Sequence, residues 1–138
     1  MAKSGRPNHA RSGLKEVMVN ANRLAQVITH GNPDVIGLLV VDADGEVHAS
    51  DSTSPEVMRA AVAMTVPLRD LIDRTTAELG CGEHSATVVE GREASFAIAD
   101  VDGFRCVLLI GASGAAPGAL RADSLWLAAR LRDEGGAS

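Results

Sequence analysis

Two cysteines in 138 residues are too few for a disulfide framework. Cys106 falls inside an apolar run and reads as a small buried hydrophobe, while Cys81 stands in a glycine-flanked loop three residues before His84. That Cys-x-x-His spacing offers two metal ligands. His9, His30 and His48 are scattered, and zinc takes three or four protein ligands, so free thiols and no metal site are expected. No stretch approaches the roughly 18 apolar residues that span a bilayer. Residues 1–13 hold no apolar segment resembling a signal peptide, and the chain is read as cytoplasmic with no membrane partner. An excess of basic charge is lacking too: 13 Lys and Arg stand against 18 Asp and Glu, a net charge of −5. An acidic domain repels phosphate backbones, so no nucleic-acid partner is expected. Lys3, Arg6, Arg11 and Lys15 make the first residues locally basic, and residues 1–13 read as a solvated, flexible arm.

Nucleotide-binding and catalytic signatures are also missing. The loop Gly111-Ala112-Ser113-Gly114-Ala115-Ala116-Pro117-Gly118 follows a strand and precedes a helix, the setting of a phosphate-cradling loop. It has no GxxxxGK[ST] and no G-x-G-x-x-G, and reads as a connector. Asp42, Asp44 and Gly45 lack the later acidic ligand of a calcium loop and are explained by a hairpin turn. His48, Ser50, Asp51 and Ser52 are triad residue types, but no G-x-S-x-G accompanies them. No catalytic residue and no cofactor are expected, and the chain is not read as an enzyme.

What is present is a sheet pattern. Val35-Ile36-Gly37-Leu38-Leu39-Val40-Val41 and Val107-Leu108-Leu109-Ile110 are apolar without alternation, as in strands covered on both faces. Before the first run, Leu14, Val17, Met18, Ala21, Leu24, Ala25 and Ile28 follow helical spacing, capped by Ser12 and stopped at Gly31 and Pro33. After it, Asp42-Ala43-Asp44-Gly45 turns the chain into a short strand over Glu46–Ser50. Ser54-Pro55-Glu56 starts a long helix, expected to end at Gly80 and to kink at Pro67. Three strands follow, about His84–Glu90, Ala94–Val101 and Phe104–Ile110, then a closing helix with Leu120, Leu125, Trp126, Leu127, Ala128 and Leu131. A frayed tail is expected over 134–138. Hairpins pair neighbouring strands, and the two fully apolar strands must pair with each other at the centre. The expected fold is α/β (α+β): a five-stranded antiparallel sheet of order 2-1-5-4-3 with helices on both faces, in one domain over 14–133.

Strands two and three are then the edges. Strand three, Ser85-Ala86-Thr87-Val88-Val89, carries no charge or proline at its centre and is open to pairing with another chain. On the long helix Val57, Ala61, Met64, Leu68, Leu71, Ile72 and Leu79 read as the core face. Met58, Val62, Thr65 and Val66 form a second apolar stripe, with Ala60 and Ala63 beside it. Covering both liabilities around a two-fold axis makes a homodimer, with Met58, Val62, Thr65, Val66 and strand three at its interface. Arg59 and Arg69, flanking the stripe, are the expected exposed contacts for a further partner.

The order of elements, together with Gly37-Leu38-Leu39-Val40-Val41-Asp42-Ala43-Asp44-Gly45, Leu79-Gly80-Cys81-Gly82-Glu83 and the helix entry Gly118-Ala119-Leu120-Arg121, resembles the Roadblock family of dynein light chains. The similarity is greater to its bacterial branch of Ras-like GTPase regulators and covers about Leu14 to Arg132. It implies the profilin-like Roadblock fold and a homodimer through the second helix and third strand. It also implies a Ras-like small GTPase as partner, whose GTP hydrolysis is stimulated in some relatives and which is only scaffolded in others. A small-ligand sensor built on the glycine loop and the Cys81/His84 corner is the remaining alternative.

Overall fold

The computed structural model describes residues 20–136. The basic arm, the Ser12 cap, Leu14, Val17 and Met18 lie outside the described residues, as do 137 and 138. Helix α1 occupies 20–31. It is followed by β1 (Val35–Asp42), β2 (Val47–Ser52), α2 (Pro55–Glu78), β3 (Ala86–Glu90), β4 (Ser95–Asp100), β5 (Arg105–Gly111) and α3 (Pro117–Gly136). The sheet order is β2-β1-β5-β4-β3, antiparallel throughout. The expected tail begins as helix, since α3 continues through Glu134 to Gly136. β1 and β5 extend one or more residues beyond their apolar runs, β3 and β4 are one or two residues shorter than expected at their ends, and β2 begins one residue later and ends two later than expected.

The unbroken runs of β1 and β5 are explained by which layer each residue enters. Leu38 and Val40 of β1, with Val107 and Leu109 of β5, pack in one core with Ala21, Leu24 and Ile28 of α1 and Leu120, Leu127 and Leu131 of α3. Leu39 and Val41, with Cys106 and Leu108, pack in a second core beneath Met58, Ala61, Val66 and Ile72 of α2. Successive side chains point to opposite faces, so a strand with helices above and below needs apolar residues at every position. Cys106 is enclosed there, and burial pushes its thiol up to about 12. It is an unreactive packing group.

Helix α2 begins as its sequence dictates. The Ser54 hydroxyl accepts from the Val57 amide, Pro55 occupies the first turn, and Gly80 beyond the end takes a positive φ of 73°. The helix is continuous through Pro67, which lies on the exposed side where water reaches the carbonyl that proline leaves unpaired. Its orientation corrects the expectation. The stripe facing the sheet is Met58, Ala61, Thr65, Arg69 and Ile72, whereas Val57, Met64, Leu71 and Leu79 are exposed. Thr65 is only 2% exposed, because its hydroxyl donates to the Ala61 carbonyl and leaves a small, satisfied side chain against the sheet.

Arg69 decides this orientation. It is 4% exposed, and its guanidinium reaches across to the β4–β5 turn. Nη1 donates to the Phe104 carbonyl at 2.9 Å and Nη2 donates to the Gly103 carbonyl. The carboxylates of Asp73, at 3.5 Å, and Asp100, at 3.8 Å, balance its charge. The same turn is held from the other face by Arg132, whose Nε donates to the Val101 carbonyl, and by Arg105, which donates to Asp102 and to the Leu131 carbonyl. Burial alone would raise the Asp102 carboxyl. Donation from the Arg105 amide and guanidinium and from the Phe104 amide outweighs it and holds the group below the ordinary carboxylate value.

A second polar anchor sits at the far end of β1. Asp42 Oδ1 accepts the amides of Asp44 and Glu46, fixing the turn that Gly45 closes at φ 83°, and Oδ2 lies 2.9 Å from Nε2 of buried His48. Burial pushes the Asp42 carboxyl up, but the His48 and backbone hydrogen bonds prevail and its pKa lies below 3.8.

Arg69→Ala leaves the Gly103 and Phe104 carbonyls without their donor and removes the counter-charge of Asp73 and Asp100, and should lower unfolding stability by about 3 kcal/mol in urea titration. For Asp42 the depressed native pKa means that its contribution is complete above the unfolded value near 3.8 and is lost as pH falls through the native one. Asp42→Asn should therefore be less stable than the parent near neutrality, with the gap in urea midpoint narrowing as pH falls below 3.8.

Candidate interaction surface

Helix α2 packs chiefly on β1 and β2, while α3 covers β3, β4 and β5 from the opposite face. On the α2 side coverage therefore thins toward the β3 edge: Ile98 of β4 is fully buried in the α2 core, whereas Phe96 is only half-buried. An open groove of about 300 Å³ runs there, walled by Val57, Ala60, Met64 and Leu68 and floored by Phe96, Leu108 and Ile110. Met64 is 64% exposed and Leu71, two turns further along the same flank, is 55% exposed. Carbon, not oxygen or nitrogen, makes up nearly all of this surface, so it can bind by apolar burial and little else.

The groove continues onto the sheet edge. Register pairs Thr87 with Ile98 and Val89 with Phe96, placing Thr87 and Val89 on the groove side. Ala86 and Val88 pack in the α3 core, and Ser85 and Val89 are exposed. Ser85 accepts from the Asp100 amide and Gly91 donates to the Ala94 carbonyl. By alternation the outward N–H groups of this edge belong to Ala86, Val88 and Glu90. Strand β3 is thus an uncapped edge beside an uncovered apolar face.

The residues expected at a contact surface separate into groups. Strand β3 and exposed Arg59 are accessible. Met58 and Val66 are half-buried in the α2 core and Thr65 is fully inside it. Val62 is on the flank of α2 away from the groove. Arg69, expected as an exposed contact, is the buried clasp described above. Sequence reasoning missed Phe96 and Ile110, and assigned Val57, Met64 and Leu71 to the core. The misleading signal was size, because Leu and Met look more core-like than Ala and Thr. The informative one was spacing, since Ala61, Thr65 and Arg69 recur every four residues on one face.

At the end of α2 a polar cleft of about 1020 Å³ opens between Asp73, Thr76, Glu83, His84, Asp100, Asp102 and Arg132. His84 Nε2 lies 2.7 Å from the Thr87 hydroxyl, and Cys81 is exposed. Among the described residues no three His, Cys, Asp or Glu side chains gather as metal ligands would. His48 pairs with Asp42, and the Ser52 hydroxyl donates to the Ser54 carbonyl, so the histidine and serines of that strand do not form a charge-relay geometry. The 112–116 connector bonds to itself and to the start of β1, through Ala115 N to Ala112 O and Ala112 N to Asp34 O. Among the described residues no helix is long and apolar enough to cross a membrane.

No protein-family model matches the chain, and sequence comparison with characterised proteins finds no match. Solved structures do match. Myxococcus xanthus MglB superposes with a TM-score of 0.70 at 14% identity, over 91% of this chain and 90% of that one. The gliding protein MglB of Thermus thermophilus gives 0.70 at 12%, over 91% and 93%. A Roadblock/LC7 domain from Streptomyces avermitilis gives 0.64 at 17%, over 74% and 86%. At these identities the likeness is one of fold, and it agrees with the sheet order derived from the apolar runs: the chain has the Roadblock/LC7 fold, in the form shared with bacterial MglB.

Proposed function

We propose that this chain is a bacterial Roadblock-type regulator that works as a homodimer, binds a Ras-like small GTPase and has no catalytic centre of its own. The observation that carries the dimer is the apolar groove lying continuous with the uncapped edge β3. A second copy related by a two-fold axis pairs β3 with β3 and lays its α2 against Met64, Leu68 and Leu71. One contact then removes an apolar face and an open row of backbone groups from water.

The GTPase partner rests on the sequence resemblance and on the shared fold. Such a partner is placed on the flank of α2 turned away from the groove, where Arg59 and Val62 are exposed. GTP hydrolysis is limited by positioning the attacking water and by neutralising charge on the transferred phosphoryl group. Arg69 is unsuited to insert as a charge donor, because withdrawing it from the Gly103 and Phe104 carbonyls would release α2 from the sheet. Regulation is therefore assigned to holding the GTPase's own loops, not to an inserted arginine. The second reading, a dimeric scaffold with no effect on hydrolysis, is favoured by the same groove and differs only in the outcome of a turnover assay. Cytoplasmic placement goes with either.

Met64→Asp should convert the dimer to monomer in light scattering, since a carboxylate in the groove must be desolvated without a partner. Val62→Asp should leave the mass at two chains. Arg59→Glu should keep both the dimer and its melting temperature while weakening GTPase binding at least about 10-fold by titration calorimetry, the loss expected for a charge reversal worth about 1.4 kcal/mol or more. Binding as tight as the parent's would move the GTPase seat off this flank. Unchanged GTP turnover on saturation with this protein would select the scaffold reading.

A further inference from the structure

The chain has one tryptophan, and it is 40% exposed on the side of the molecule opposite α2. Trp126 of α3 and Val27 of α1, itself 52% exposed, line a shallow depression of about 250 Å³ together with Gly31, Asn32 and Asp123. The Arg130 guanidinium lies over the indole, 5.8 Å from its centroid. This face belongs neither to the α2 groove nor to the β3 edge.

Its charges are arranged in a way that selects an occupant. On α3, Asp123 precedes Trp126 by three residues and Arg130 follows it by four, so both share its face about 5 Å along the axis to either side. On α1, which is exposed at Arg23 and Val27, Arg23 stands one turn before Val27. Asp123 is held by Asn32, whose Nδ2 donates to Oδ2 at 2.9 Å, which leaves Oδ1 free to accept. The surface is thus apolar at its centre, acidic on one side and basic on the other. Asp133, a turn beyond Arg130, lies outside this central pattern. A surface of this kind is complementary to itself when turned through half a circle: with two α3 helices antiparallel about Trp126, Asp123 of each meets Arg130 of the other. Ala122 and Ala129, flanking the tryptophan on the same helix, let the helices approach closely.

We propose that the Trp126 face is a second, isologous docking surface for another copy of this chain, closed by reciprocal Asp123–Arg130 pairs around a Trp126 and Val27 centre. Burying the indole supplies the apolar area, and the forked guanidinium already resting on it is oriented to meet the incoming carboxylate. Joined to the groove-mediated dimer proposed above, on which only the stoichiometry rests, the second surface builds an assembly of four chains.

The test is the mass of the full 14.3 kDa chain by sedimentation across a micromolar concentration series, with tryptophan emission read in parallel. The parent is expected to reach four chains, and Trp126→Glu to stop at two. If the parent stops at two chains and Trp126→Glu falls to one, this face stands and the groove dimer fails. If both stop at two, this face is overturned and the groove dimer stands. Arg130→Asp, which spares the Asp123–Asn32 bond, should halve the parent mass, and Asp123→Arg combined with Arg130→Asp should restore it. Failure of the swapped pair to restore the mass overturns the reciprocal contact. Because Trp126 is the sole indole, its emission should shift to the blue as the larger species forms, and an emission maximum independent of concentration contradicts the proposal.

Discussion

The buried guanidinium of Arg69 fixes where α2 lies, and much else follows from that placement. A charged side chain is tolerated at 4% exposure only because two turn carbonyls and two carboxylates meet it. The two carbonyls and Asp100 sit at the β4–β5 turn, with Asp73 on α2 itself, so the second half of α2 is tied to that turn while its start is tied to the end of β2 through Ser54. The helix covers β1, β2 and the centre of β4 at Ile98, and leaves the same face of β3 and the Phe96 end of β4 open. An intramolecular clasp thereby leaves an apolar surface of the sheet open.

The two faces of the sheet are consequently unlike. On the α1 and α3 side, two helices cover all five strands and the core is closed, with arginine side chains sealing its lower end. On the α2 side a single helix spans part of the sheet, and the uncovered part is apolar up to the edge. A five-stranded sheet with one helix too few on one face has two physical remedies, a further element of its own or an element supplied by a partner. The proposed dimer is the second remedy, and the fold shared with MglB and Roadblock/LC7 domains is one in which every element needed for it is already in place.

How much was legible in the sequence depends on whether a signal was relative or absolute. The sheet order came from unbroken apolar runs in β1 and β5, and absolute burial on both faces leaves a single position in the sheet for such strands. The edge character of β3 followed from that order. The face of α2 did not, because its helix carries two apolar arcs and hydrophobicity ranks Met64 and Leu71 above Ala61 and Thr65. What separates the arcs is long-range: the carbonyls that receive Arg69 lie 34 and 35 residues away in sequence. Arg69 read locally as an exposed contact flanking the second stripe; its i, i+4 pair with Asp73 exists, but as the rim of a buried site. The Asp42–His48 contact was invisible for a related reason: the register of β1 and β2 shifts between Val40 and Val41, and that bulge brings His48 to the side of Asp42.

The central claim is that the β3 edge is covered in solution by a second copy. Residue-resolved hydrogen exchange measures this directly on the amides of Ala86, Val88 and Glu90, which face away from β4. Slow exchange of Ala86 and Val88 at concentrations where two chains associate, becoming fast on dilution or in Met64→Asp, is the expected result. Exchange at the rate of unprotected amides under all conditions, while Thr87 and Val89 remain protected by β4, would show a free edge and contradict the claim.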